Sequence, residues 1–128
     1  TQKFAKSKNV IWITVISSAE GKQGYIQPND AVNTFASFGS FPDHILVDEN
    51  GDLGKKFNAK TTPHIFIADK NKNIVYQGAI DDAGGSRFWT TDLNQSTNFV
   101  KKVINDIKSN KPLSVSKTRP YGCSVKYG

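Results

Sequence analysis

Two short segments of this chain contain residue types that could take part in chemistry. The first is centred on Cys123, the only cysteine in the sequence. Its segment also carries three cations, Lys117, Arg119 and Lys126. Nearby cations favour the thiolate, which is the nucleophilic form of cysteine. A single cysteine excludes an internal disulfide and a Cys-rich metal site, so Cys123 is either a reactive thiol or a small buried hydrophobe.

The second segment is Thr61-Thr62-Pro63-His64, which directly precedes an apolar run at 65–68. Proline is tolerated at the first residue of a strand, because the hydrogen-bond donor missing there costs little. A cis X–Pro bond is rarer and usually marks a specified turn. The residues alone leave both interpretations of Pro63 open.

Other constellations are weaker. His44 and His64 are the only histidines, and neither has a second ligand at i+3 or i+4, so we expect no metal site. The Asp81-Asp82 pair is interpreted as a turn or a helix cap, because adjacent side chains point apart. The 48–52 segment, DENGD, resembles the start of a calcium loop, but no Glu closes the loop at position 59, so it is interpreted as a turn.

The spacing of apolar residues predicts the strands and helices that must position these residues. The run at 10–17 is β-branched and predicts a strand buried on both faces. Pro28, Asn29 and Asp30 open a predicted helix that ends at Gly39. Its apolar side contains four residues, Val32, Phe35, Ala36 and Phe38.

The second half of the chain predicts a strand at 44–48, a short helix at 52–57 and a hairpin of strands at 65–68 and 74–76. An amphipathic helix over 95–109 follows, capped by Asp92, Asn94 or Ser96. Strands that alternate with helices predict an α/β layered, mixed sheet. We expect one domain over 1–128, with an extended, irregular arm over about 111–128 that exposes Cys123.

Composition and charge argue against two classes of protein, nucleic-acid binders and membrane-spanning proteins. The net charge is +6, but only Arg87 and Arg119 among 17 cations are arginine, and the lysines are spread along the chain. Bidentate phosphate and base contacts favour arginine, so a nucleic-acid partner is not expected. No apolar run approaches the roughly 20 residues of a membrane span, so we expect a soluble protein. The residues leave its compartment, cytoplasm or periplasm, open. The chain contains no Met and is expected to be a piece of something longer.

Four segments together resemble one family. They are VIWI at 10–13 with SSAEGKQGY at 17–25, TTPHIF at 61–66, YQGAIDD at 76–82 and TRPYGCSVKY at 118–127. This set is similar to the redoxin group of the thioredoxin superfamily, among the relatives of alkyl hydroperoxide reductase and thiol-specific antioxidant proteins. The resemblance implies a thioredoxin-like fold and a cis Thr62–Pro63 bond.

The family's nucleophilic cysteine lies upstream, on a strand-to-helix turn, whereas this chain has no cysteine before Cys123. Residues 1–6 look like the end of the helix that follows that turn. The resemblance places the strand before that turn between the strands at 10–17 and 65–68. We therefore expect another segment or chain, or a second copy, to complete the sheet, or else direct pairing of those two strands.

The resemblance implies a thiol redox protein that reduces peroxides or protein disulfides. Cys123 would be the resolving thiol, and Thr62 and Pro63 would shape the wall that faces the substrate. A dithiol reductant protein is the expected partner, and no cofactor is needed. The alternative is a non-catalytic thioredoxin-fold module that binds a partner through aromatic residues near Phe88 and Trp89.

Overall fold

Residues 1–82 and 97–127 are described by a computed structural model, in which they group into two compact units. The N-terminal unit consists of Gln2–Ala59 with the C-terminal residues from Val125 on. The C-terminal unit consists of Thr1 and Lys60–Ser124. Each contains helix and strand, which confirms the predicted mixed α/β class. No helix among the described residues is long and apolar enough to cross a membrane.

The N-terminal unit contains one parallel strand pair and three short helices. The strands β1 and β2 are in register, with Val15 opposite Leu46. A 3₁₀ turn at Pro28–Asp30 leads into the second helix, as the proline at its start predicts. The elements are α1 (Gln2–Ser7), β1 (Ile13–Ile16), α2 (Ala31–Ser37), β2 (His44–Val47) and α3 (Asp52–Lys56).

The prediction that β1 is buried on both faces is wrong. Successive side chains of a strand point to opposite faces. Ile16 is only 7% exposed, whereas Ile13 and Val15 are 51% and 39% exposed, and Leu46 beside them on β2 is 45% exposed. The described residues therefore cover one face of the β1–β2 pair and leave the other, an apolar one, in solvent. These three side chains, Ile13, Val15 and Leu46, are called the open face below.

The predicted apolar side of the second helix is also only partly correct. Val32 and Phe38 are 68% and 79% exposed, and the residue that α2 buries is Ala31. The predicted stop is confirmed, because α2 ends at Ser37 and Gly39 adopts a left-handed φ of 72°. Helical spacing predicted that the helix has an apolar side, but whether that side is covered depends on residues far away in the chain.

The C-terminal unit is built on the predicted hairpin. Strand β4 pairs with β5 in antiparallel fashion, and Asp69 Oδ1 accepts hydrogen bonds from the Asn71 and Asn73 amides in the turn between them. Two further strands, of two residues each, pair with one another. The elements are β3 (Thr61–Thr62), β4 (Ile65–Ala68), β5 (Ile74–Gly78), α4 (Phe99–Lys108) and β6 (Cys123–Ser124).

The core of this unit includes one face of α4. Val100, Val103 and Ile104 are at most 2% exposed. The helix starts at Phe99, and its N-cap is Asn98, whose side chain accepts a 2.9 Å hydrogen bond from the Lys101 amide. The caps proposed from the sequence, Asp92, Asn94 and Ser96, lie outside the described residues.

Strands β1 and β4 each have their hydrogen-bonded partner strand within their own unit. Within residues 1–82 and 97–127, β1 pairs with β2 alone and β4 pairs with β5 alone. The direct pairing that was one of two expected arrangements is therefore not found in that part of the chain. The other arrangement, a strand supplied by another segment or chain, stays a prediction.

We expect the two faces of β1 to respond differently to the same substitution. Ile16→Thr should lower the free energy of unfolding by about 2 kcal/mol, since it buries a hydroxyl and loses apolar contacts. Ile13→Thr should change it by less than about 0.5 kcal/mol, because Ile13 is half exposed and Thr keeps the β-branch. Urea unfolding followed by circular dichroism measures both. Equal losses would show that the open face is covered in solution.

Candidate functional site

The structure brings the three predicted site residues together in the C-terminal unit. Strand β6 pairs with β3 so that Cys123 lies directly opposite Thr62, and Pro63 follows Thr62 in the chain. Cys123 is a free, exposed cysteine, which confirms the predicted exposure. The prediction of an irregular arm is wrong at Cys123, because residues 123–124 form a strand. Thr62 and Cys123 are 61 positions apart in the sequence, so no local pattern could predict that they pair.

The segment before β4 is held by its own side chains. The Thr62–Pro63 bond is cis, as predicted. The Thr61 hydroxyl donates a 2.8 Å hydrogen bond to the Pro63 carbonyl, and the Lys60 amide donates a 3.1 Å hydrogen bond to His64 Nδ1. The His64 ring stacks on Phe66 at 4.4 Å between centroids. His64 is thus an acceptor that shapes this turn, a role that the sequence reasoning missed.

Gly122 allows the two short strands to approach one another. Its φ is 134°, which L side chains rarely adopt. A Cβ on this residue would lie far inside van der Waals contact with the Thr62 carbonyl oxygen. Only glycine therefore fits the position next to Cys123, and the Gly-Cys order in the sequence is a requirement of the β3–β6 contact.

The Thr118 hydroxyl and two backbone hydrogen bonds attach the arm to β5. The Gln77 amide donates to the Ser116 carbonyl at 3.1 Å, and the Thr118 amide donates to the Gln77 carbonyl at 3.0 Å. The Thr118 hydroxyl accepts from the Ala79 amide at 2.9 Å and lies 2.6 Å from the Tyr76 hydroxyl. Tyr76, which is fully buried, donates to the Ala79 carbonyl, so the proton between the two hydroxyls belongs to Thr118.

A second hydrogen bond anchors the arm closer to Cys123. The Tyr121 hydroxyl donates to Asp81 Oδ1. The neighbouring carboxylate, Asp82, accepts from the Thr97 amide at 2.7 Å just before α4. The Asp81-Asp82 pair therefore fixes two different segments. The predicted turn or cap role is wrong, because the cap of α4 is Asn98 and the two carboxylates hold residues that are distant in the sequence.

Asp48 organises a separate polar cluster in the N-terminal unit. It accepts hydrogen bonds from the Leu53 and Gly54 amides and from the Ser17 hydroxyl, at 3.1, 2.8 and 2.7 Å. Burial acts to raise the pKa of Asp48, but the hydrogen bonds from Gly54, Leu53 and Ser17 outweigh it, and the pKa is lowered. All of these contacts hold the start of α3, so the predicted turn at 48–52 is confirmed.

The last described residues also belong to this cluster. The Tyr127 hydroxyl donates a 2.8 Å hydrogen bond to the Ala59 carbonyl, and the Lys55 ammonium lies 5.4 Å from the centre of its ring. A Cβ on Gly54 would lie 2.6 Å from the Tyr127 hydroxyl, so the ring needs a glycine beside it. Tyr127 therefore has a packing role, although the resemblance grouped it with Cys123.

Two further points of the sequence analysis concern metal binding and the alternative binding surface. No group of three or more His, Cys, Asp or Glu side chains in the described ranges could hold a metal ion. The aromatic residues of the alternative binding surface, Phe88 and Trp89, lie outside the described residues. Of the predicted site residues, the structure thus brings together Thr62, Pro63 and Cys123.

We expect Gly122→Ala to cost far more stability than a matched glycine substitution elsewhere. Gly21 also has a positive φ, 78°, but a Cβ there meets nothing within 4 Å. Gly21→Ala should cost about 1 kcal/mol of backbone strain, and Gly122→Ala about 3 kcal/mol or more, because it also forces β6 away from β3. Chemical unfolding of both variants measures the difference. Similar costs would show that the close approach of Gly122 to Thr62 is not kept in solution.

The stability of the protein should depend on the protonation of His64. Burial of the ring and then the charge of Lys60 lower the pKa of His64. Its contribution to stability is therefore complete above pH about 6.5, the unfolded value, and is lost as the pH falls through the lowered folded pKa. His64→Asn, whose side-chain oxygen can replace Nδ1 as acceptor, should remove this dependence. Thermal melts of both proteins across that pH range test this, and an unchanged slope would contradict it.

The comparisons with known proteins bear on the fold. No family model matches the chain, and no curated protein matches it significantly. A hypothetical protein from Sinorhizobium meliloti is 17% identical with a TM-score of 0.79, over 99% of this chain and 67% of that one. An uncharacterized conserved protein from Geobacillus kaustophilus is 20% identical with a TM-score of 0.79, over 98% and 66%. The chain shares the fold of these structures and spans about two thirds of their length.

Proposed function

We propose that this chain is part of a thioredoxin-like thiol redox protein in which Cys123 is the resolving thiol. The observation that carries the proposal is the β3–β6 pairing, which holds an exposed free cysteine opposite Thr62 and beside Pro63. The sequence resemblance supports it independently, since it assigns Thr62 and Pro63 to the wall that faces the substrate. A structural cysteine would more often be buried.

The chemistry needs two thiols. A peroxide oxidises the first to a sulfenic acid, R–SOH, and releases an alcohol or water. The Cys123 thiol then attacks that sulfur, so that an R–S–S–Cys123 disulfide forms and water leaves. With a protein disulfide as substrate, the first thiolate attacks one of its sulfurs and the other departs as a thiolate. The Cys123 thiolate then attacks the first thiol's sulfur in this mixed disulfide, so that the R–S–S–Cys123 disulfide forms and the remaining substrate sulfur leaves as a thiolate. In both cases a dithiol reductant protein returns Cys123 to the thiol.

The first thiol must come from outside this sequence, because Cys123 is the only cysteine in it. The 128 residues alone are therefore expected to carry out half of the cycle. Thr62 would contribute backbone groups beside the reacting sulfur, and Pro63 would provide a flat apolar wall. The same arrangement serves peroxide reduction and disulfide reduction, and the two differ only in what oxidises the first thiol.

We expect the native chain to form a mixed disulfide without turning over peroxide. Incubation with oxidised glutathione should give one glutathione adduct per chain and release one glutathione, because the thiol is exposed. Hydrogen peroxide consumption with a dithiol present should stay at the uncatalysed rate. Intact mass and a peroxide assay measure these, and Cys123→Ser should show no adduct.

Two outcomes would overturn the assignment. An adduct that forms only in urea would mean that the Cys123 thiol is inaccessible in the folded protein. Peroxide turnover that Cys123→Ser abolishes would make Cys123 the primary nucleophile rather than the resolving thiol.

A second candidate is a non-catalytic module that binds a partner chain or a second copy. The observation that favours it is the open face, because uncharged, half-exposed apolar side chains on neighbouring strands are typical of interaction surfaces. A partner strand added beside β1 would extend the sheet, and the part of the partner that packs over Ile13, Val15 and Leu46 would cover the open face. Cys123→Ser leaves the open face intact, so this variant should lose the redox reaction but still bind the partner.

A further inference from the structure

The open face is the first of two apolar surfaces on the N-terminal unit. Exposure alternates along the chain from Ile11, which is 67% exposed, through Ile13 to Val15, so Ile11 extends the open face at the start of β1. Among the residues of β1 and β2, only His44 is ionisable. Parallel strands are almost always covered on both faces, usually by helices. The described residues leave this face uncovered, so a helix from elsewhere is the element that fits it.

The second surface is an apolar ridge on α2. Val32, Phe35 and Phe38 follow one another at a spacing of three residues, which places them in one row along the helix and its C-cap. The two ends of the row, Val32 and Phe38, are 68% and 79% exposed, and Phe35 is half-buried. The sequence over 31–42 contains no charged residue. These three side chains are called the α2 ridge below.

We propose that the α2 ridge of one copy of this chain packs on the open face of a second copy. The inference rests on the second candidate function, for which it names the partner, and it does not involve Cys123. The two surfaces match in length. A helix of seven residues is about 10 Å long, and the extended chain from Ile11 to Val15 spans about 13 Å.

The charge of the chain favours a contact between these two surfaces. Copies with a net charge of +6 repel one another, so they associate best where neither surface carries lysine or arginine. The open face and the α2 ridge both meet this condition. A contact made by one short helix is small, and small interfaces are weak and transient. The association should therefore be reversible and should increase with protein concentration.

Sedimentation equilibrium over a range of protein concentrations tests the proposal with three variants of the full chain. Ile13→Glu changes the open face, Phe38→Glu changes the α2 ridge, and Ile74→Glu is the matched control. Ile74 is also an isoleucine on a strand, is 43% exposed and lies in the C-terminal unit. All three substitutions change the net charge equally, so a general effect of charge would appear in all of them.

The apparent mass of the native chain should rise above that of a single chain as the concentration increases. Ile13→Glu and Phe38→Glu should each weaken the association at least about tenfold, because each buries a charge in the contact. Ile74→Glu should change it by less than about twofold. An equimolar mixture of Ile13→Glu and Phe38→Glu should regain part of the association, because the native α2 ridge of one variant meets the native open face of the other.

Several outcomes would overturn the proposal. They are a native chain that stays monomeric, an equal loss in Ile74→Glu, and a mixture that associates no better than its two components. A loss in Ile13→Glu without a loss in Phe38→Glu would show that something other than α2 covers the open face. The proposal would then fail while the second candidate function stands.

Circular dichroism shows whether the variants are folded. If a glutamate variant is unfolded, Ile13→Thr and Phe38→Ser replace the pair and should weaken the association in the same direction but by less. The redox function is tested separately, because it fails only if the native chain forms no glutathione adduct or if Cys123 proves to be the primary nucleophile.

Discussion

The candidate site depends on the hydroxyl of Thr118. This hydroxyl accepts a hydrogen bond from the Ala79 amide and donates one to the buried Tyr76 hydroxyl, and the Thr118 amide donates to the Gln77 carbonyl on β5. Burial raises the pKa of Tyr76, so that hydroxyl stays protonated and can donate to the Ala79 carbonyl. Without these bonds the arm would have no fixed path from Ser116 to Gly122, and Cys123 would not lie opposite Thr62.

Two glycines also help to fix the path of the arm. Gly78 and Gly122 both have positive φ values and both sit where another backbone comes too close for a Cβ. Gly78 admits Thr118, and Gly122 admits the Thr62 carbonyl. These two close backbone contacts fix the arm at Thr118 and at Gly122. They explain why a segment with little regular secondary structure can hold the Cys123 thiol at a defined position.

Sequence patterns predicted the parts of this structure that are formed locally. The hairpin of β4 and β5 has its turn residues and its alternating strands within fourteen residues, and it appears where predicted. The apolar spacing over 95–109 likewise predicted an amphipathic helix, and α4 buries Val100, Val103 and Ile104 along one side. Strands β3 and β6 were missed, because two residues carry no period and their partners lie some sixty residues apart. The exposure of Val15 and Phe38 could not be predicted, since spacing shows that a side is apolar but not what covers it.

The long separation between the partners of the arm has a consequence for how the protein folds. The Tyr76–Thr118 contact spans 42 residues, and β3 meets β6 across an even longer loop. Closing such loops lowers the entropy of the chain before the stabilising contacts form. Local elements such as the β4–β5 hairpin therefore form earlier than these long-range contacts. The cysteine-bearing segment is therefore among the last parts of the chain to find its place. Until it does, the Cys123 thiol lies in an unfolded segment and can react with any oxidant in the surroundings of the nascent protein.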